Sequence, residues 1–538
     1  MPKNIIICSD GTGNSAIKDR GTNVFKMFEA IDLNGHRIDP NLDPQVAFYD
    51  DGVGTETFLP LKLLGGAFGF GLAKNVRNLY MDLVRVYDPG DGTTPADRIY
   101  LFGFSRGAFT VRTLAGLIAK CGVLDREKLL TTDAMCKAVR RAYSTYRRSY
   151  RTWLGNVLNQ ILVGLRLRRP DSDAIEDFRE AHSVPGVVRI RFIGVWDTVD
   201  AVGGPFHTSD VINAVFHRFK FPDRILSDKV DQAVHALSID ESRAAFGPVL
   251  WEAKPNVEQV WFAGVHSNVG GGYIKQGMSL VTLDWMMRKA QQNGLRILSD
   301  DRKIYWEHGN VDDKMYDSRA GLGVFYRWKP RNMQELWVDQ KAGTLPPIHL
   351  SALERIAHGT DGYAPGTLAP AASVTFTPSN DPQQNEALIV RAQALKSALD
   401  GAYARSGTDL QKAHGTVLIG RIAYYIYVLS CLAVVLAASV PPDVGSRRNL
   451  WLVLKNAGTL IYDAVTMQWT PLLSAVQRLL TDPKLLGALM AGFAVAGALA
   501  FYVDRKRSMV FSRYWHDARQ DLRNALMSAR NVLLSERQ

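Results

Sequence analysis

Gly103-Phe104-Ser105-Arg106-Gly107 follows the apolar run Ile99-Tyr100-Leu101-Phe102 and leads into a helix-like stretch, Ala108 to Lys120. A serine hydroxyl is a poor nucleophile until a base takes its proton, and a tight strand-to-helix turn pushes such a side chain into the open. That turn tolerates only small neighbours, which Gly103, Gly107 and Ala108 supply. The backbone N–H of Arg106, at the start of the helix, would face the oxygen that turns negative when Ser105 attacks a carbonyl. A bare Gly-x-Ser-x-Gly arises by chance roughly 0.2 times in a chain of this length. Its position between a buried strand and a helix is what makes Ser105 a candidate nucleophile.

A serine of this kind needs an acid and a histidine, supplied later in the chain from loops at strand ends. Val187 to Trp196 is rich in β-branched and aromatic residues, reads as a buried strand and ends at Asp197. A second strand, Val257 to Ala263, runs into the Gly-rich loop Gly264 to Tyr273, in which His266 stands three residues beyond the strand. Asp197 is therefore the candidate acid and His266 the candidate base, with Asp200, His207 and His235 as rivals. His235 lies in Gln232 to Leu237, which reads as helix. The opening strand Asn4 to Cys8 is followed by Ser9-Asp10-Gly11-Thr12-Gly13-Asn14, so Gly11 and Thr12 are candidate backbone donors to the oxyanion, beside Arg106. Asp10 is expected to cap that loop, the other reading being a cation held with Asp50 and Asp51.

Together Ser9 to Asn14, Tyr49 to Thr55, Gly65 to Leu72, Gly103 to Ala108, Val195 to Val199, Leu237 to Glu241 and Phe262 to Tyr273 resemble, in one order, the DUF2235 family of uncharacterised domains. That family includes the Tle1-type phospholipase effectors of the bacterial type VI secretion system. The resemblance covers roughly residues 1 to 350. It implies an α/β-hydrolase fold with a mostly parallel central sheet, and a triad of Ser105, Asp197 and His266. It also implies carboxylic ester hydrolysis through an acyl-enzyme, with membrane phospholipid as the substrate class and a bacterial setting.

The C-terminal third departs from the secreted effectors. Ile422 to Val440 and Leu485 to Val503 are uncharged apolar runs. Each is about 28 Å long as a helix, close to the roughly 30 Å of a bilayer core, so both are expected to span as a transmembrane hairpin. Ala488, Gly492, Ala496 and Ala500 form a ridge of small residues that suits close approach of the partner helix. Arg505, Lys506 and Arg507 after the second span, with Lys412, His414 and Arg421 before the first, favour both ends in the cytoplasm. Met1-Pro2-Lys3 leads straight into a strand and leaves no room for a signal peptide. A bacterial inner-membrane protein with a cytoplasmic hydrolase domain is the expectation. Its organisation is read as residues 1–355 for the catalytic domain, 356–384 for a linker and 385–538 for the helical membrane region. The last includes a connecting helix from Glu386 to Leu399 and a charged amphipathic helix from Tyr514 to Leu534.

The formal net charge is +11. Eight arginines between Arg140 and Arg169 surround the apolar stretch Trp153 to Leu167, forming a basic insertion near 138–175. It reads equally as a lid that meets an anionic membrane and as a solvated insertion on the core. No nucleic-acid module accompanies the charge. Cys8, Cys121, Cys136 and Cys431 show no paired spacing, which speaks for a reducing compartment and against zinc. The chemistry calls for no metal and no organic cofactor. Two other classes stay open: hydrolysis of a soluble ester or amide with the spans as anchor, and a membrane-disrupting effector whose hairpin forms a homo-oligomer.

Overall fold

The computed structural model describes residues 1–11, 21–52, 68–148, 150, 160, 162–163, 170–199, 224–320, 323, 326–338, 344–366, 368, 372–414, 416–439, 450–465, 477 and 483–535. Its frame is one sheet of β1 (Asn4–Ser9), β2 (Gln45–Asp50), β3 (Arg98–Phe104), β4 (Ile190–Trp196), β5 (Val230–Ser238), β6 (Val257–Phe262), β7 (Pro347–His349) and β8 (Ser373–Thr375). The strands lie in the order β2-β1-β3-β4-β5-β6-β7-β8, and every pairing is parallel. Parallel neighbours need a crossover between them, and crossovers put helices on both faces.

That double burial explains why the inner strands read as unbroken apolar runs. Ile5 and Ile7 of β1 face one way, into a core with Leu101, Ile193 and Val195. The helices α2 (Phe68–Val86), α3 (Arg106–Cys121) and α4 (Thr132–Arg148) cover this side. Ile6 and Cys8 face the other way, with Phe102, Phe192 and Trp196, under α1 (Asn23–Glu29) and the helix Gly277–Gln292. Two further helices are α5 (Asp171–His182), which packs on α3 and α4, and α6 (His266–Gly270), which follows β6, so Gly277–Gln292 is α7.

A third core sits at the β7–β8 edge. It joins α8 (Leu350–His358), α9 (Pro382–His414) and the far half of α12 (Pro483–Ser535), through Leu353, Leu395, Phe511, Trp515 and Leu522. The stretch 356–384, expected to be a linker, is built into this edge: it supplies β8 and buries Tyr363 and Leu368. The connecting helix is longer than the apolar spacing of 386–399 indicated, running through all of α9.

Between α9 and α12 lie α10 (Thr416–Ser439) and α11 (Leu450–Val465). α10 contains the first apolar run as far as Ser439. The second run and the charged helix beyond it are one uninterrupted 53-residue helix, α12. Thr416–Ser439 and, within α12, Leu486–Ala529 are long and apolar enough to cross a membrane. α10 and α12 pack side by side, with Tyr427 and Phe493 rings 5.8 Å apart. Gly492 of the small-residue ridge lies against Ser430, whose Oγ would be 2.5 Å from an added Cβ.

Candidate active site

Parallel pairing fixes which residues meet at the carboxyl edge of the sheet. Phe104 is level with Trp196, Trp196 with Ala236, and Ser238 with Phe262. The residues that leave these strands therefore emerge in one row, although Ser105 and His266 are far apart in the chain. The strand order also reverses at β1, flanked by β2 and β3, which is where open parallel sheets form a crevice.

Ser105 sits between β3 and α3 with φ +59° and ψ −121°, a conformation that an L-residue adopts only under constraint. Its N–H donates to the carbonyl of Trp196 at 3.0 Å. The turn closes so tightly that a Cβ on Gly103 would lie 2.6 Å from the Gly107 oxygen. One on Gly107 would lie 2.1 Å from the oxygen of Ser9, at the end of β1. Only glycine fits at either place.

The structure brings Ser105, His266 and Asp197 into one line. The Ser105 Oγ is 2.8 Å from His266 Nε2, and His266 Nδ1 is 2.5 Å from Asp197 Oδ2. All three are buried. The imidazole is held between two rings, Phe104 at 4.6 Å and Phe246 at 5.0 Å between centroids. Its backbone N–H donates to Glu241 Oε2 at 3.3 Å, and Glu241 is itself paired with Arg243 at 2.7 Å.

Asp197 has a left-handed backbone, φ +39°, stabilised from β5. Its N–H donates to the Ala236 carbonyl at 2.7 Å, and the next N–H, of Thr198, donates to His235 Nε2 at 3.0 Å. His235 thus lies outside the Ser–His–Asp line. It is on a strand, not on the helix its flanking residues suggested, and burial followed by the nearby Arg112 holds its pKa at about 3.

The Asp197 carboxylate is the most heavily partnered group at the site. Arg331 donates Nη1 to Oδ1 at 2.7 Å and Nη2 to Oδ2 at 2.9 Å, and the Ser238 N–H donates to Oδ1 at 3.0 Å. Arg331 is itself 5% exposed and is fixed by the Ser238 and Phe246 carbonyls. Burial by itself would raise the Asp197 pKa, but Arg331 and then His266 hold it well below the usual carboxylate range. Burial lowers the His266 pKa, and Asp197 offsets part of that effect.

Arg106 is the first residue of α3, so its amide stands at the helix N-terminus beside Ser105. The Gly11 N–H is engaged by the Asp10 Oδ1 at 2.6 Å, which removes it as a donor in this arrangement. Thr12 lies outside the described residues, as do Asp200, His207 and most of the arginine-rich insertion after Arg148. Asp10 also accepts from Thr22 Oγ1 at 2.5 Å and Tyr49 Oη at 2.7 Å, so it braces its loop. Burial, opposed by these bonds, raises its pKa to about 6. Asp50 accepts from Ser9 and Asn75.

Sequence reasoning missed Arg331, Phe246 and Arg243. Glu241 stood within a noted motif, Leu237 to Glu241, without a role. No local pattern singles out Arg331, because its partner is 134 residues away.

A parallel α/β sheet with a Ser–His–Asp line at its carboxyl edge defines the broad class. The chain belongs to the family described as T6SS, phospholipase effector Tle1-like, catalytic domain, which matches residues 3–289, a little over half its length. An uncharacterized protein of Saccharomyces cerevisiae, YEL023C, is 27% identical over 272 residues, covering 48% of this chain and 34% of the yeast protein. The chain thus matches only about a third of that relative. A yeast relative also means that similarity of this kind does not by itself place the chain in a bacterium. Among solved structures, a chain of the Tle1 effector bound to the VgrG spike from the type 6 secretion system aligns with a TM-score of 0.32 and 14% identity, over 63% of this chain and 83% of that one.

Proposed function

We propose that the chain is a membrane-anchored serine hydrolase of the α/β-hydrolase type that cleaves acyl esters of phospholipids. The hydrogen-bonded line from Ser105 through His266 to Asp197, presented on a strained strand-to-helix turn, carries this reading. The family description supports the lipid substrate, and α10 and α12 support the anchor, as a transmembrane hairpin.

In this reading Ser105 Oγ attacks the ester carbonyl as its proton passes to His266 Nε2. The Arg106 N–H donates to the oxyanion. The imidazolium then protonates the departing lysophospholipid alcohol, leaving an acyl group on Ser105. His266 next takes a proton from water, which releases the fatty acid and restores the serine. Asp197 stays ionised throughout, since Arg331 and the Ser238 N–H stabilise its charge. Ser105→Ala is expected to lower phospholipid hydrolysis by the full-length chain at least about a thousandfold with the fold intact. Lipid mass spectrometry and circular dichroism on the same preparation test this, and retained fatty-acid release by the variant would refute the nucleophile.

A further inference from the structure

Among the described residues, a strap of paired backbone connects the site to the roots of the two apolar helices. Phe246, whose ring meets the His266 imidazole, is 5.6 Å from the Tyr326 ring, and the Arg243 guanidinium lies 3.5 Å from the Phe246 centroid. The backbones here pair: Ala244 N–H donates to the Arg327 carbonyl and Lys329 N–H to the Ser242 carbonyl, both at 2.8 Å. The far side of the strap faces the helices. Arg327 Nη1 donates to Tyr425 of α10 at 3.2 Å, and the Arg507 guanidinium of α12 lies 5.0 Å from the Trp328 ring. The Trp328 ring also packs so closely on Gly420 of α10 that an added Cβ would lie 2.5 Å from it.

This junction has the composition of a water–bilayer boundary. The apolar run of α12 ends at Val503 and passes into Asp504-Arg505-Lys506-Arg507, while Arg421 marks the same level on the antiparallel α10. Just inside it, Phe501 of α12 and Ile422 of α10 are 64% and 48% exposed among the described residues. Aromatic and basic side chains at the end of an apolar helix mark the headgroup level, and the excess of positive charge suits anionic lipid. A helix long enough to span, with its apolar flank uncovered, commits that flank to hydrocarbon.

Resting on the lipid-esterase reading, we infer that the enzyme acts on the bilayer that holds it: a phospholipid from the leaflet around α10 and α12 reaches Ser105 past the Tyr326–Trp328 strap. Among the described residues, Phe246 and the strap form a continuous chain of contacts from the imidazole to that level, which gives an ester of a neighbouring lipid a route to the serine. An ester in a separate membrane must first be brought to the same place.

The test uses the full-length chain in vesicles of phosphatidylethanolamine and phosphatidylglycerol carrying one fluorescent phospholipid, mixed with protein-free vesicles carrying a second. Lipid in the host vesicle is expected to be consumed about tenfold faster or more, the advantage of a tethered reaction. Equal consumption of both labels overturns the inference and leaves the esterase reading standing. Cleavage of p-nitrophenyl butyrate without cleavage of either lipid overturns the inference and the phospholipid substrate and leaves only a serine esterase, whereas inertness toward all three overturns the whole reading. Trp328→Ala and, independently, Gly420→Leu are expected to slow host-lipid cleavage about tenfold while changing p-nitrophenyl butyrate turnover less than about twofold. Equal loss on both substrates would reduce the strap to a structural brace and remove the route.

Discussion

Arg331 decides how the triad is charged. A carboxylate buried with no cation would be neutralised, and a neutral Asp197 could not stabilise a protonated His266. The guanidinium prevents that, but it also cancels part of the negative charge felt by the imidazole. In the proposed mechanism a protonated His266 cannot accept the Ser105 proton, so activity is expected to fall as pH drops through its pKa. Because burial lowers that pKa, the active plateau is expected to extend to more acidic pH than a free imidazole would allow. Arg331→Met should let Asp197 take up a proton and stop stabilising the imidazolium, which moves the acid limb of kcat/KM to lower pH with a loss of turnover, and Arg331→Lys should move it less. It should also cost about 3–5 kcal/mol of stability by leaving a buried carboxylate unpaired. A pH profile of ester hydrolysis with denaturant titration measures both, and an unmoved limb would mean that Arg331 only holds the loop. The positions of Ser105, Asp197 and His266 could be read from the chain because Ser105 and Asp197 follow directly on β3 and β4, and His266 stands in the Gly-rich loop just beyond β6. Arg331 could not, since its meaning arises only when the segment after Lys329 folds back over β4 and β5.

Strands and helices show the same division. β1, β3, β4 and β6 announce themselves as apolar runs, but Val230-Asp231-Gln232-Ala233-Val234-His235-Ala236-Leu237 has helix formers at helical spacing. Its place between β4 and β6, with Ala233 to Ser238 buried on both faces, overrides that propensity. The turn at Ser105 is the opposite case, where local chemistry leaves one solution. Gly107→Ala would place its Cβ 2.1 Å from the Ser9 oxygen and 2.5 Å from the Asp10 oxygen. The β1 loop must yield, and a loss of about 1–3 kcal/mol is expected, with a fall in turnover. Thermal unfolding in detergent checks it; an unchanged midpoint would show the loop gives way freely. The sequence of α12 reads as two elements because its composition changes from apolar to charged near Val503. Composition marks a change of surroundings, not of backbone, and no Gly or Pro breaks the helix there.

Across the whole molecule, the catalytic part does not end where the apolar runs begin. Phe511, Tyr514, Trp515 and Leu522 of α12 complete the third core, and Trp515 Nε1 donates to the Pro365 carbonyl at 2.8 Å. Arg519 and Arg523 donate to the carbonyls of Ile356, Ala357 and His358, at the C-terminal end of α8, where positive charge is favoured. A chain cut at residue 415 would leave this apolar surface open. It is expected to aggregate and to lack p-nitrophenyl butyrate activity, despite keeping Ser105, Asp197 and His266. Size-exclusion chromatography with an esterase assay tests this, and a monodisperse, active truncated chain would contradict the role given to α12.

The unbroken course of α12 carries one more physical consequence. A rod of 53 residues is about 80 Å long, clamped to the edge of the sheet at one end and, with the proposed anchor, seated in hydrocarbon at the other. Hydrocarbon thickness sets the lean of such a rod. With no joint along it to absorb the change, the globular body must pivot with the rod, and the angle at which the serine's entrance meets the headgroups becomes a function of the acyl-chain length of the host lipid.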